Sequence, residues 1–501
     1  MTNSSTTVAV IGAGFSGLCA AIQLKKQLGI TAQIFEASGD VGGTWLHNTY
    51  PGCACDVPSH MYSFSFELNP DWSKRYSPQP EILRYIQNVS KKHNLYEQTM
   101  FETEVVQAAW LDSERKWKLD WRKKNENTIQ TSFYDYVFAG LGPLRVPKVA
   151  EKFNAFEGKI VHTAYWDSSV DFTDKRVAVI GSGASAVQTI PKLAQVASSL
   201  TSFQRTPVWC MWRDQCTYSE KIKRLFRWFP FLMAIYRLFL YLQLELFYIP
   251  FGYPRSALVR YLHGVFVRHM KKRLESQGRA DLVPKLVPDF QPGCKRVVVS
   301  EAYLESLCRP NVVVQRSGIR DIRGRTIVCE DGSEAEFDIL CLATGFDVQG
   351  FLGNLQVYGK DTQSLNELWD NHYPETYKSV SINGFPNFFM LLGPAAVLGH
   401  NSVVSMAECQ VDFAINAMKY AKKRHLAALE PKLEAQKKFV DGLNKDIQST
   451  VWAVGCKSWY MNDRGEIFSL WSRTVTSFWW QLSRTNYAAD FVGYTQIPKK
   501  P

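Results

Sequence analysis

Two charged residues of opposite sign stand at the same distance behind two similar glycine-rich turns. Glu36 lies 19 residues beyond Gly17, and Arg205 lies 19 residues beyond Ala186. Such a pair can discriminate between two sugars. A carboxylate accepts both hydrogen bonds of a ribose diol and repels a 2′-phosphate, whereas a guanidinium grips that phosphate with two donors. Thr206 adds a hydroxyl beside Arg205.

Both charges need elements to hold them. In "TVAVIGAGFSGLCAAIQLKKQLG" a β-branched apolar run leads into Gly12, Gly14 and Gly17, and Leu18, Ala21, Ile22 and Leu24 then recur at helical spacing. Gly12 permits a tight turn, Gly14 lets a pyrophosphate approach the backbone, and Gly17 lets helix and strand pack closely. The helix N-terminus then faces the negative phosphates. The next strand, "AQIFEAS", ends in Glu36, so this unit is expected to take FAD or NAD and to reject NADP. "KRVAVIGSGASAVQTIPKLA" repeats the pattern with Gly181, Gly183 and Ala186, and "LTSFQRTP" brings Arg205, which assigns NADPH to the second unit. The expected fold is α/β, with two Rossmann-like dinucleotide-binding domains, for FAD and for NADPH. Hydride can then pass from nicotinamide to flavin.

At 501 residues, 46 % hydrophobic and 21 % charged, the chain is globular and long enough for two or three domains. Its aromatic content, 13 %, suits flat rings or a bulky apolar ligand, as would a large packed core. The formal charge is +11, its basic residues form only short clusters such as "KKRH" at 422–425, and no nucleic-acid motif accompanies them, so nucleic acid is not an expected partner. No metal-ligand set is expected either. Eleven cysteines without framework spacing, and no opening signal peptide, point to reduced thiols in the cytoplasm. After "DVGGT" stand Trp45 and, five residues on, Tyr50, where disulfide reductases of this fold carry their redox cysteines; that reading is disfavoured.

Between the two turns, "FEGKIVHTAYWD" places Phe156, Gly158, His162, Trp166 and Asp167 in the order F-x-G-x-x-x-H-x-x-x-W-[P/D]. The chain thereby resembles the type I Baeyer–Villiger monooxygenases, within the FAD/NADPH flavin monooxygenases. The resemblance extends to residues 42–66, like the family's flavin loop, to "CLATGFD" (341–347), and to "GCKSWY" (455–460), like an element that closes on the nicotinamide. It implies that NADPH reduces FAD, that O2 gives a peroxyflavin in a site that excludes water, and that oxygen enters beside a ketone carbonyl to give an ester or lactone. Negative charge develops on the former carbonyl oxygen, and a fixed cation is needed there. By resemblance Arg296 is that cation, Asp56 its partner, and Lys295 a further holder of the 2′-phosphate. The same resemblance places Thr44, Trp45 and Tyr62 on FAD, Gln188 near the NADPH pyrophosphate and Trp459 on the nicotinamide ribose. It makes His162 part of a domain-coupling hinge and not a base.

The expected organisation is a discontinuous FAD domain (1–145 and 347–501), an NADPH domain (146–214 and 295–346) and a helical insertion (215–294). The insertion holds "RLFRWFPFLMAIYRLFLYLQLELFYIPFG", the most hydrophobic stretch of the chain, interrupted by Arg237 and Glu245 and broken at Pro230. Three readings of it stay open: a cover over an apolar substrate tunnel, a peripheral membrane contact, or a dimer face. Each suits a bulky apolar ketone. The tail lacks the glycine-rich closing loop of the family's bacterial cyclic-ketone oxidisers, which leaves substrate class open. An N- or S-oxygenating flavin monooxygenase, an NADPH oxidase or reductase without oxygen insertion, and a non-catalytic nucleotide binder are the competing functions.

Overall fold

The computed structural model describes residues 6–453, 455 and 458–495. The strand Val8–Ile11 is buried throughout, as a run of apolar residues must be when both faces of a parallel sheet are covered. It sits in the middle of a five-stranded parallel sheet in the order 388–390, 136–139, 8–11, 33–35 and 99–100. A second parallel sheet has the order 312–315, 199–203, 176–180, 339–342 and 159–162. Each sheet carries one glycine-rich turn at the carboxyl end of its central strand, where open α/β sheets bind ligands. The late helix Val403–Lys423 packs beside the early helix Phe15–Leu28, so the end of the chain returns to the first sheet.

A four-stranded sheet (356–358, 103–111, 116–123, 130–134) lies beside the first unit, and a three-stranded antiparallel one (319–323, 326–329, 334–336) beside the second. Between the halves of the second unit run the helices Glu220–Trp228, Pro230–Leu246 and Ala257–Glu275. A short parallel pair, Cys210–Met211 with Val298–Val299, brings the entry and exit of this helical stretch together.

Two crossings join the units, and they lie side by side. Lys148 N–H donates to Gly345 O at 2.9 Å, and Asp347 N–H donates to Val146 O at 2.8 Å. Nine cysteines are free thiols among the described residues, Cys53 and Cys55 included. Cys294 is disulfide-bonded, which corrects the expectation of wholly reduced cysteines: pairing follows proximity in the fold, which spacing does not reveal.

Candidate active site

The first turn is shaped by what a side chain would strike. Gly12 has φ +98°, and a Cβ on it would stand 2.6 Å from Gly140 O. A Cβ on Gly17 would stand 1.9 Å from Gly12 O, so helix and strand touch through bare backbone. Gly14 faces Gly43, whose added Cβ would come within 3.0 Å of Gly14 Cα. This backbone cradle admits a phosphate group closely. Neither turn-borne helix, Phe15–Leu28 or Ala184–Val196, has a side-chain cap, whereas Ser219 and Ser256 cap two insertion helices. The N-terminal amides at the turns are thus left for an outside acceptor. In the second turn Gly181 has φ +125°, Gly183 has open space around it, and Ala186 is wholly buried against the sheet.

The two charges expected to read the sugars are held differently. Glu36 is buried and fixed by two backbone donors, Ala13 N–H at 2.7 Å and Ser38 N–H at 2.8 Å, with acceptor capacity to spare. Arg205 is exposed and makes no ion pair among the described residues. Near it lies half-buried Lys295, whose pKa is lowered by burial first and then by the charge of Arg205, while Asp289 pulls the other way. Two cations brought together in this way suit a dianion. Thr206 O accepts from Ser182 Oγ at 2.8 Å, which ties the end of the strand to the turn.

Arg296 and Asp56, 240 residues apart in the chain, meet between the units. Nε donates to Asp56 Oδ2 at 2.8 Å, and Nη2 lies 2.6 Å from the same oxygen. The carboxylate raises the guanidinium pKa, so the cation is permanent. Nη1 has no acceptor among the described residues and is free to meet an anionic oxygen. Around the pair stand Cys55, Tyr62 and Tyr460, the last buried, with burial pushing its phenol up to about 12. Trp45 Nε1–H donates to Tyr62 Oη at 3.2 Å, and their rings meet edge to face at 5.5 Å. Thr44 opens the short helix that holds Trp45. Trp459 is 37 % exposed, with its ring 4.4 Å from that of Tyr460. Cys456 and Lys457 of its segment lie outside the described residues.

Gln188 joins the two units. It accepts from Tyr50 Oη at 2.8 Å and donates to Ala54 O at 2.8 Å. The loop that carries Asp56 is therefore stitched to the second nucleotide helix.

The stretch 156–167 forms the seam between units. His162 is buried; its Nδ1 accepts from Ala164 N–H at 3.0 Å and its Nε2 lies 3.1 Å from Thr344 Oγ1, a residue of the return crossing. Burial lowers its pKa, so the ring stays neutral. Trp166 stacks on Phe172 at 5.2 Å. Asp167, paired with Lys159 and bonded by Ser169, closes a turn. Gly158 is needed because the Phe156 ring folds over it: an added Cβ would lie 2.5 Å from that ring and 2.7 Å from Asp338 O. Gly158→Ala is expected to cost about 1–3 kcal/mol by overpacking, read as a fall in melting temperature with the FAD-loaded fraction preserved at low temperature.

A family model described as flavin-binding monooxygenase-like matches residues 5–423. The chain belongs to that family. A Baeyer–Villiger monooxygenase of Pseudomonas aeruginosa is 37 % identical over 97 % of this chain and 90 % of its own length. One from Streptomyces coelicolor is 36 % identical over 96 % and 91 %. Among solved structures, an oxidized steroid monooxygenase bound to NADP superposes with a TM-score of 0.84 at 27 % identity, covering 98 % of this chain and 99 % of the other. A closed cyclohexanone monooxygenase gives 0.83 at 26 %, covering 98 % and 100 %. The protein is an FAD- and NADPH-dependent monooxygenase of the Baeyer–Villiger type.

The monooxygenase fold also recruits residues that the sequence reading passed over. Arg213 Nη2 donates to Cys55 O at 2.7 Å and its guanidinium lies over the Tyr76 ring at 5.0 Å, so a second cation braces the Asp56 loop. Gln79 Nε2 donates to Trp45 O at 2.5 Å. Nothing in "CMWRDQ" marks Arg213, whereas Tyr460 adjoins Trp459 and was within reach.

Proposed function

We propose that the chain inserts one oxygen of O2 beside the carbonyl of a bulky apolar ketone to give an ester or lactone. The balanced change is ketone, O2, NADPH and a proton to ester, NADP+ and water. FAD belongs with the turn at Gly12, Gly14 and Gly17 and with Glu36, Thr44, Trp45 and Tyr62, on a domain of residues 1–145 and 347–501. NADPH belongs with Gly181, Gly183, Ala186, Arg205, Thr206 and Lys295, on residues 146–214 and 295–346, with Trp459 at its nicotinamide ribose and Gln188 holding the two units in register. Bound FAD, once reduced by NADPH, supplies the activation of O2.

The observation that carries this reading is the Arg296–Asp56 pair, set between the two nucleotide units with one guanidinium nitrogen unspent. Asp56 fixes the plane of the guanidinium, and Nη1 can donate to the oxygen on which charge develops as the carbonyl becomes tetrahedral. Trp45, Tyr62 and Tyr460 surround the place with apolar rings that exclude water. An apolar substrate fits these rings, and among the similar structures one monooxygenase is named for a steroid and another for a cyclic ketone, cyclohexanone.

The test follows NADPH oxidation, peroxide release and product together over cyclic, aryl, steroidal and long-chain ketones. Ester that rises as peroxide falls supports the proposal. Peroxide equal to NADPH across the whole panel would favour an oxidase, and oxygenation confined to sulfides or amines would favour the heteroatom branch.

A further inference from the structure

The helix Pro230–Leu246 is amphipathic in the inverted sense. Its two charges point inward. Arg237 Nη1 donates to Ser63 O at 3.1 Å and to His60 O. Glu245 accepts from Asn401 Nδ2 at 2.9 Å and from Thr476 N–H at 3.0 Å. Despite its burial, the nearby His400 ring, 3.8 Å away, and bonds from Thr476 and Asn401 hold that carboxyl down at about 2, so it is charged and satisfied. The outward face consists of Phe231, Ile235, Leu238, Phe239, Leu242 and Leu246, which are 54–64 % exposed. At the N-terminal corner Trp228 is 74 % exposed, and Phe229 packs against Phe231 at 6.1 Å.

The stretch Pro230–Gly252 is long and apolar enough to cross a membrane, and only 17 % of its most apolar part is buried. Spanning would break the contacts of Arg237 and Glu245 with the body of the protein, so the helix can only lie flat. The charge around it is lopsided: residues 220–275 hold eleven Lys and Arg against three Glu, a net +8 of the chain's +11. Lys221, Arg224, Arg255 and Arg260 are exposed and make no ion pair among the described residues.

We propose that this face docks in the plane of a lipid surface bearing anionic headgroups, with the apolar side chains entering the headgroup boundary and the flanking cations meeting the phosphates. The charge decides against a second copy of the chain, because a two-fold contact would bring two sets of these exposed, unneutralised cations together.

The full-length holoenzyme is sedimented with vesicles of phosphatidylcholine alone and of phosphatidylcholine mixed with phosphatidylglycerol. Binding is expected to the mixed vesicles, to weaken with salt, and to fall about fivefold for each of Lys221→Gln and Arg224→Gln. The double variant L238E/L242E changes only exposed positions; it is expected to abolish vesicle binding while FAD content and NADPH oxidation stay unchanged. Failure to bind either vesicle overturns the proposal. So does a dimer, seen by sedimentation velocity, that the double variant splits while the parent protein ignores vesicles. Equal, salt-independent binding to both vesicle types also overturns the anionic part of it.

Discussion

Replacing Arg296 by Ala is expected to cut ketone oxygenation by about 10²–10³-fold, the usual cost of removing one preorganised donor to a developing oxyanion. The size follows from the geometry. Asp56 binds Nε and Nη2 through one oxygen, which leaves Nη1 as the group with nothing else to hold. The Arg205 site is separate and stays intact, so NADPH should still be consumed, with peroxide replacing ester mole for mole. Arg296→Lys should recover little, since a point charge cannot keep two contacts with Asp56 while offering a third. Asp56→Asn should lose less than Arg296→Ala, because the cation remains and only its orientation slackens. The experiment quantifies ester by chromatography beside NADPH and peroxide. Undiminished ester from Arg296→Ala would remove this residue from the chemistry; sulfide oxygenation that survives while ester is lost would show that Arg296 serves the carbonyl alone.

The sequence was most informative where chemistry is local. A turn, its strand and its helix lie within one short segment, so Gly12, Gly17 and Gly181 were legible as turn glycines, and each has a conformation or a contact that only glycine allows. Glu36 and Arg205 follow the same local rule. Arg296 and Asp56 are far apart in the chain, and neither carries a periodic signal, so their meeting was open only to resemblance. Gln188 shows the limit from the other side: its place on the second helix was legible, but its bonds to Tyr50 and Ala54 arise because Gly52 lets that loop approach, an added Cβ there lying 2.4 Å from Gln188 O. The apolar insertion was legible as apolar, whereas the direction in which it faces was not. Arg237 and Glu245 interrupt its hydropathy as an outer face would, yet both turn inward, because the partners that satisfy them come from residues 60–63, 401 and 476. A hydropathy pattern reports which residues differ, and the body of the protein decides which side they face.

The second large effect concerns which nicotinamide cofactor is used. Arg205→Ala is expected to raise KM for NADPH roughly 10–100-fold, the loss of charged hydrogen bonds at about 1.5–3 kcal/mol. KM for NADH should barely change, since its ribose offers Arg205 no phosphate. Arg205→Glu goes further, because it puts at the second unit the carboxylate that Glu36 provides at the first, and it should reverse the preference. Lys295→Ala should also weaken NADPH, but the double variant should lose less than both single losses combined, because the two cations share one dianion. The pairing leaves a mark in the pH profile. Burial, and then the charge of Arg205, lower the Lys295 pKa, so in the parent protein its charge is lost early as pH rises, and KM for NADPH should climb on the alkaline side. Removing Arg205 relieves one of these causes, the Lys295 pKa rises, and the alkaline limb should move to higher pH even as KM worsens at neutral pH. Steady-state kcat/KM for both cofactors across pH tests every part of this. A loss of the same size for NADH and NADPH would mean that Arg205 supports the fold of the second unit, and the phosphate-binding role would then have to pass to Lys295 and Thr206.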